Sequence, residues 1–311
     1  MLRLLPALKD YIWGGHKLER MYGRDGGGKK VSESWEVSVH PDGPSRIEGG
    51  GTLAEYLREN PFAVSPQGGP LPVLIKLIDA AQNLSVQVHP DDDYARRTEG
   101  DNGKTEMWYI VQADEGAGIY CGFREEVGRE AFLRMAADGS VEKCLNFVPV
   151  RAGDCYLIPA GTVHAIGAGC LICEVQQSSN VTYRVYDYGR KGADGKPRPL
   201  HLQKAADVID FSLFRDRTGS TPFAEVAGGK ERLLTQCKYF CCRELLLSGK
   251  YERQDPESFT AAVVLEGAGT IDGKPFAAGE SFFIPCKEKY ALCGEARVIL
   301  TGLPRTKGRE L

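Results

Sequence analysis

The chain has 311 residues, 42% of them hydrophobic and 26% charged, with a formal net charge of −3. That length admits one large domain or two of ordinary size, and the near-balanced charge removes any general drive toward nucleic acid or an anionic membrane surface. No apolar run reaches the ~18–20 residues of a membrane-spanning helix, so a soluble globular protein with a small-molecule ligand is expected.

Along the chain, Met1-Leu-Arg-Leu-Leu-Pro6 is too short an apolar stretch for a secretory signal, which predicts a cytoplasmic protein. Glycine (37) and proline (17) punctuate short β-branched and aromatic runs, the pattern of an all-β protein with few helices. Arg24-Asp-Gly-Gly-Gly-Lys-Lys30 reads as a loop, since no strand-then-helix context makes it a phosphate loop. Thr52-Leu-Ala-Glu55 is a capping box opening a helix to about Asn60. Pro72-Val-Leu-Ile-Lys-Leu-Ile78 is an apolar strand in which an unpaired Lys76 would be costly; it must snorkel or find a counter-ion.

Ser85-Val-Gln-Val-His89 alternates polar and apolar residues. As a strand it sends Ser85, Gln87 and His89 to one face. Residues 91–98 predict a helix with acids in its first turn. In Gly103-Lys-Thr-Glu-Met-Trp-Tyr109, Lys104 and Glu106 share a strand face. Glu126 to Ala137 has helical spacing. His164 follows the turn Pro159-Ala-Gly161. Among ten scattered cysteines only Cys170-Leu-Ile-Cys173 has the two-residue spacing of a zinc or redox pair, and in a strand those two sulfurs face opposite sides; buried thiols in a reducing compartment are expected. Glu174 lies in Cys173-Glu-Val-Gln-Gln177, Arg184 in Thr182-Tyr-Arg-Val-Tyr-Asp187, with Arg190 and Lys191 after it. Lys204 to Ile209 predicts another short helix.

Residues 153–166, GDCYLIPAGTVHAI, repeat without a gap as 279–292, GESFFIPCKEKYAL. Glu115-Gly-Ala-Gly118 repeats as Glu266-Gly-Ala-Gly269. The offsets differ (153 to 279 against 115 to 266), so the first copy carries an insertion, assigned to a helical segment near 126–147. Tyr290 stands in the second copy where His164 stands in the first. The expected architecture is mainly β: two jelly-roll barrels with a few short helices, a catalytic metal-binding domain over 1–220 and a metal-free domain over 221–311. Arg215-Asp-Arg-Thr-Gly-Ser-Thr-Pro222 breaks the strand rhythm between them.

Gln87, His89, Glu106 and His164 form a donor set for one divalent metal. Imidazole nitrogens with carboxylate and amide oxygens suit Zn²⁺, and Mn²⁺, Fe²⁺ or Co²⁺ fit the same set. With one Gln in place of a third His, the set suits a Lewis acid better than oxygen chemistry. Lys76, Arg184, Arg190 and Lys191 around such a metal point to an anionic, oxygen-rich substrate, and a sugar phosphate fits.

The Gly-(Asp/Glu)-x-x-x-Ile-Pro pattern resembles the second motif of the cupins. Leu84-Ser-Val-Gln-Val-His-Pro-Asp-Asp92, Gly103 to Tyr109, Pro159-Ala-Gly-Thr-Val-His-Ala-Ile-Gly167 and Gln176-Gln-Ser-Ser-Asn-Val-Thr-Tyr-Arg-Val-Tyr-Asp-Tyr188 closely resemble class I mannose-6-phosphate isomerases. Trp13-Gly-Gly15 and Glu33 to Pro41 resemble their short bacterial branch. The resemblance covers about residues 10–202; beyond 210 it is architectural.

It implies an aldose–ketose isomerase that interconverts mannose 6-phosphate and fructose 6-phosphate through an enediol. One zinc per chain would sit on Gln87, His89, Glu106 and His164. Arg184 matches the family's catalytic arginine, Glu174 and Lys104 match residues of substrate handling or proton transfer, and Lys76 and Ser85 match phosphate-holding positions. Arg190, also assigned to substrate binding, stands where larger members carry lysine. The other readings are a different metal-dependent cupin acting on sugar phosphates, an oxygenase, and a non-catalytic sugar-phosphate-binding cupin. A monomer or weak homo-oligomer is expected.

Overall fold

The computed structural model describes residues 1–192, 195–213 and 220–304. In chain order the elements begin β1 (Leu2–Leu5), β2 (Ala7–Lys9), α1 (Lys17–Tyr22), β3 (Glu33–Val37), β4 (Arg46–Ile47), α2 (Leu53–Glu59) and β5 (Val73–Ala80). There follow β6 (Val86–Val88), α3 (Asp92–Thr98), β7 (Glu106–Ala113), β8 (Gly118–Phe123), α4 (Arg129–Asp138), β9 (Leu145–Pro149), β10 (Cys155–Ile158) and β11 (His164–Ile166). Next come β12 (Cys170–Gln177), β13 (Tyr183–Tyr186), α5 (Leu202–Val208), β14 (Ala224–Val226) and β15 (Gly229–Gln236). The last strands are β16 (Cys241–Gln254), β17 (Thr260–Ile271), β18 (Lys274–Ala277), β19 (Ser281–Ile284) and β20 (Lys289–Gly302).

The mainly β reading is borne out. The helices fall within a few residues of their predicted positions, and the α2 capping box is formed, with Thr52 Oγ1 accepting from the Glu55 amide. The sequence reading missed α1. Its six residues are too few to show a period, and it is held by burying Leu18 and Tyr22, one turn apart, and by a left-handed Gly23 at its end.

Three sheets result. One runs β10-β7-β12-β5-β3-β2, a second β13-β6-β11-β8-β9, and a third β14-β15-β16-β20-β17-β19-β1-β4 with β18 on β17. The N-terminal strand β1 thus pairs with β19 of the C-terminal half. The first sheet is covered on both faces. Leu77, Met107, Leu171, Cys173 and Val175 pack outward against Phe259, Val263 and Phe283 of the third sheet. Ile78, Trp108, Ile110 and Ile172 pack inward against Ile119, Cys121 and Ile166 of the second. Alternation along β5, β7 and β12 therefore sorts each residue to one face. The same alternation brings Lys76, Glu106 and Glu174 inward.

The repeat is visible as geometry. Gly153 and Gly279 open equivalent turns at φ 91° and 90°. Ile158 of β10 pairs with Glu106, and Ile284 of β19 pairs with Thr260. The second copy thus has Thr260 in the place of Glu106 and Tyr290 in the place of His164. The break at 215–222 falls largely on 214–219, outside the described residues.

In the C-terminal half, glycines that read as turns lie inside strands of 12 and 14 residues. At Gly267 a Cβ would come 2.1 Å from the Glu295 carbonyl oxygen, so the residue marks close backbone approach rather than a chain reversal.

A buried carboxylate joins the halves. Glu244 is fully buried; it accepts from Tyr109 Oη at 2.8 Å and from Arg232 Nε at 2.6 Å, and it also holds Arg297. Glu244→Ala would leave these donors without their acceptor, and a loss of about 3 kcal/mol in urea unfolding is expected. A loss under about 1 kcal/mol would show that solvent takes over the Glu244 contacts.

Candidate functional site

His89, Glu106 and His164 lie on three strands' ends and converge, their donor atoms within 4.8 Å of one another and all three buried. The chain fixes which nitrogens face the centre. His89 Nδ1–H donates to the Val181 carbonyl and His164 Nδ1–H to that of Thr162, each at 2.8 Å. Both Nε2 lone pairs are therefore directed inward, 3.5 and 3.2 Å from Glu106 oxygens. Gln87, opposite His164 in the β6–β11 pairing, puts its amide 3.4 Å from His164 Nε2. A turn of that amide would direct Oε1 to the same centre.

Both Glu106 oxygens are buried and make no hydrogen bond, although Lys104 Nζ lies 2.6 Å from Oε2 in an alignment poor for one. A buried carboxylate with unused lone pairs, facing two imidazole lone pairs, fits a divalent cation. Burial pushes the Glu106 carboxyl up to about 7, with Lys104 opposing, and pushes His164 down to about 4. Burial, then Lys104, hold His89 well below its ordinary value. A bound cation would favour the ionised carboxylate and the neutral rings.

Beside this group opens a cavity of about 270 Å³, lined by Lys76, Ser85, Gln87, Lys104, Glu174 and Arg184. Lys76, suspect from sequence as a cation in an apolar strand, has found carboxylates: Glu174 at 3.3 Å and Glu33 at 3.7 Å. Burial alone would lower the Lys76 ammonium, but Glu33 and Glu174 outweigh it and raise it. Glu174 is the converse: burial pulls upward, and Lys104 and Lys76 bring it below the ordinary carboxylate range. Trp108 Nε1 donates to Glu174 Oε2 at 3.0 Å, which leaves Oε1 without a hydrogen bond. Ser85 Oγ lies 3.4 Å from Gln87 Oε1. Arg184 donates from Nη1 to the Pro199 carbonyl, while its Nε is buried and unpartnered.

Of the residues assigned from the sequence, only Arg190 is outside both groups. Its Nη1 donates to the Asn83 carbonyl, and its guanidinium lies 5.0 Å from the Tyr188 ring. The cavity is also lined by residues the sequence reading left without a role: Tyr11, Trp13, Glu33, Asn180, Thr182 and Arg198. Extending the Lys104–Glu106 alternation by one step would have found Trp108. Nothing in Pro197-Arg-Pro199 signals a cavity residue.

None of the ten cysteines is in a disulfide, and seven of them are buried. Cys170 and Cys173 are both buried in β12, and burial raises both. No helix among the described residues is long and apolar enough to cross a membrane.

Comparison with known proteins agrees with this geometry. The family description "phosphomannose isomerase type I, catalytic domain" matches residues 1–125. A mannose-6-phosphate isomerase of Streptococcus mutans is 37% identical over 87% of this chain and 86% of its own. Mannose-6-phosphate isomerase ManA of Bacillus subtilis is 36% identical over 90% of this chain and 91% of its own. The crystal structure of the mannose 6-phosphate isomerase from Bacillus subtilis superposes with a TM-score of 0.90 at 33% identity, covering 96% of this chain and 98% of that one.

Protons compete with a metal for its ligands, so metal retained after dialysis should fall as pH drops from about 7 to about 4, Glu106 protonating before His164. Glu106→Gln should lose most of its metal already at pH 7.5, read by elemental analysis. Retention equal to the parent protein would remove Glu106 from the ligand set.

Proposed function

The chain belongs to the type I phosphomannose isomerase family, and we propose that it interconverts D-mannose 6-phosphate and D-fructose 6-phosphate. The observation that carries this reading is Glu174. It is a buried carboxylate with one oxygen tied to Trp108 and the other, 3.3 Å from Lys76 Nζ, without a hydrogen bond, and it lines the cavity beside the His89–Glu106–His164 group.

Isomerisation of an open-chain aldose moves one proton between C2 and C1 and passes through an enediol. In this reading Glu174 Oε1 takes the C2 proton and returns it at C1. Lys76 and Lys104 keep Glu174 ionised, ready to accept. Lys104, which lines the same cavity, gives a proton to O1 and takes back the one that leaves O2. Arg184, with its unpartnered Nε, stabilises the charge that grows on the enediolate oxygens more than it does the ground state. Lys76 and Ser85 contact the substrate from the wall, and Arg190 adds positive charge behind it. Gln87, His89, Glu106 and His164 would hold one Zn²⁺, which when bound polarises the sugar oxygens as a Lewis acid. Residues 1–220 would form the catalytic unit and 221–311 a metal-free support. Ten cysteines without a disulfide accord with work in a reducing compartment.

A coupled assay with metal-loaded protein tests the reading, and no turnover of mannose 6-phosphate at full metal content would refute it. Arg184→Ala should lower kcat by about 10²–10³-fold while metal content stays at the parent level. Parallel loss of metal would make Arg184 structural. Glu174→Gln should lose at least about 10²-fold in kcat without a matching rise in KM.

A further inference from the structure

The reacting carbons of a hexose 6-phosphate are at one end of the molecule and the phosphate at the other. With C1 and C2 at Glu174 and the His89–Glu106–His164 group, the phosphate needs cations of its own elsewhere on the cavity wall. On the floor, the ammonium groups of Lys76 and Lys104 face the carboxylates of Glu33, Glu106 and Glu174. Both ammonium groups are already committed to carboxylates, Lys76 between Glu33 and Glu174 and Lys104 beside Glu106, and the charge of a bound metal would face the carbonyl end of the sugar.

A further set of cations is held on Asp187: Arg190 and Arg198 both bind this one carboxylate, with Arg184 nearby. Arg184 is close enough to the other two that, after burial, their charges lower it. Asp187 is 5% exposed and serves two guanidinium groups. Arg198 donates from Nε to Oδ2 at 2.7 Å and from Nη2 to Oδ1, and Arg190 Nη2 donates to that same Oδ1. The two arginines then diverge. Arg190 turns to Asn83 and Tyr188, away from the cavity. Arg198 lines the cavity with Arg184, Asn180 and Thr182. Among the described residues all hydrogen bonds of Arg198 go to Asp187, so its Nη1 is left for a ligand.

We propose that Arg198, held in place by Asp187, is a substrate-binding residue that grips the phosphate group of the sugar. A guanidinium whose Nε–Nη2 edge is fixed on a carboxylate presents its remaining N–H groups in one direction, the geometry that matches phosphate oxygens. Asp187 is a positioning residue in this scheme. The proposal rests on the sugar-phosphate reading above and adds the residue that selects for the phosphorylated substrate.

The test is steady-state kinetics on metal-loaded protein together with calorimetric binding of inorganic phosphate. Arg198→Ala should raise KM for mannose 6-phosphate by about 10- to 100-fold with kcat within about threefold, and should weaken inorganic phosphate by a similar factor. Arg198→Lys should recover part of both, since it restores the charge without the fork. If Arg198→Ala fails to fold, the lysine variant carries the test: a KM and a phosphate affinity both equal to the parent's would overturn the proposal. Unchanged KM and phosphate affinity in a folded Arg198→Ala would overturn it directly. If the parent protein turns over no mannose 6-phosphate, the isomerase reading fails separately. Loss of inorganic phosphate binding in Arg198→Ala would then still support the assignment, and its retention would overturn it.

Discussion

Five ionisable side chains share the inner face of a sheet that is covered on both sides. Lys76, Lys104, Glu33, Glu106 and Glu174 are each at most 7% exposed. Taking such groups out of water costs several kcal/mol apiece, and their mutual attraction offsets that only while they stay close and aligned. The surrounding fold supplies the alignment. β5, β7 and β12 are adjacent, each eight residues long, and their outward faces are largely apolar, with polar groups at Asp79, Tyr109 and Gln177. A shift of one residue in any of them would bury the charges in the outer core and turn the apolar residues to the site. Register is therefore held from both faces. A divalent cation at the His89–Glu106–His164 group would remove the excess negative charge.

The C-terminal half takes part in this by packing. Its large sheet forms the apolar layer behind β5, β7 and β12. Two buried acids tie the halves, Glu244 through Tyr109 and three-way contact with Arg232 and Arg297, and Glu36 through Arg24 and Ser281. Tyr109 is on β7, three residues from Glu106, and faces the opposite side. One strand thus carries the metal-type carboxylate inward and the inter-half anchor outward.

Much of the site was legible because strand alternation is a local rule. Ser85, Gln87 and His89, and separately Lys104 and Glu106, announce a face by spacing alone, and Lys76 announces a partner by being a cation in an apolar run. His164 became informative through Tyr290, its counterpart in the repeat. The parts that were hidden depend on long-range pairing. That Glu33 reaches Lys76 follows from the β3–β5 register, and that Arg198 rather than Arg190 lines the cavity follows from how each leaves Asp187. The carbonyls of Val181 and Thr162, which set the histidine tautomers, have no side-chain signal at all. The long C-terminal strands were misread as short ones because close backbone approach and chain reversal both call for glycine.

The second copy keeps the turn and the strand pairing of the first without its metal-type ligands. Replacing Tyr290 by histidine would restore one ligand type only. Thr260 occupies the carboxylate position, and Arg253 lies close enough that its charge acts on the Tyr290 hydroxyl. That arginine is itself fixed by Glu231 at 3.1 Å and by Tyr251 Oη at 3.0 Å. The carboxylate beside that arginine, Glu231, is itself bound by Arg243, Tyr251 and Arg253. Glu106 in the first copy differs: its buried oxygens make no hydrogen bond and face two imidazole lone pairs. What separates the two positions is thus whether a buried carboxylate keeps unused lone pairs, more than the presence of any one histidine.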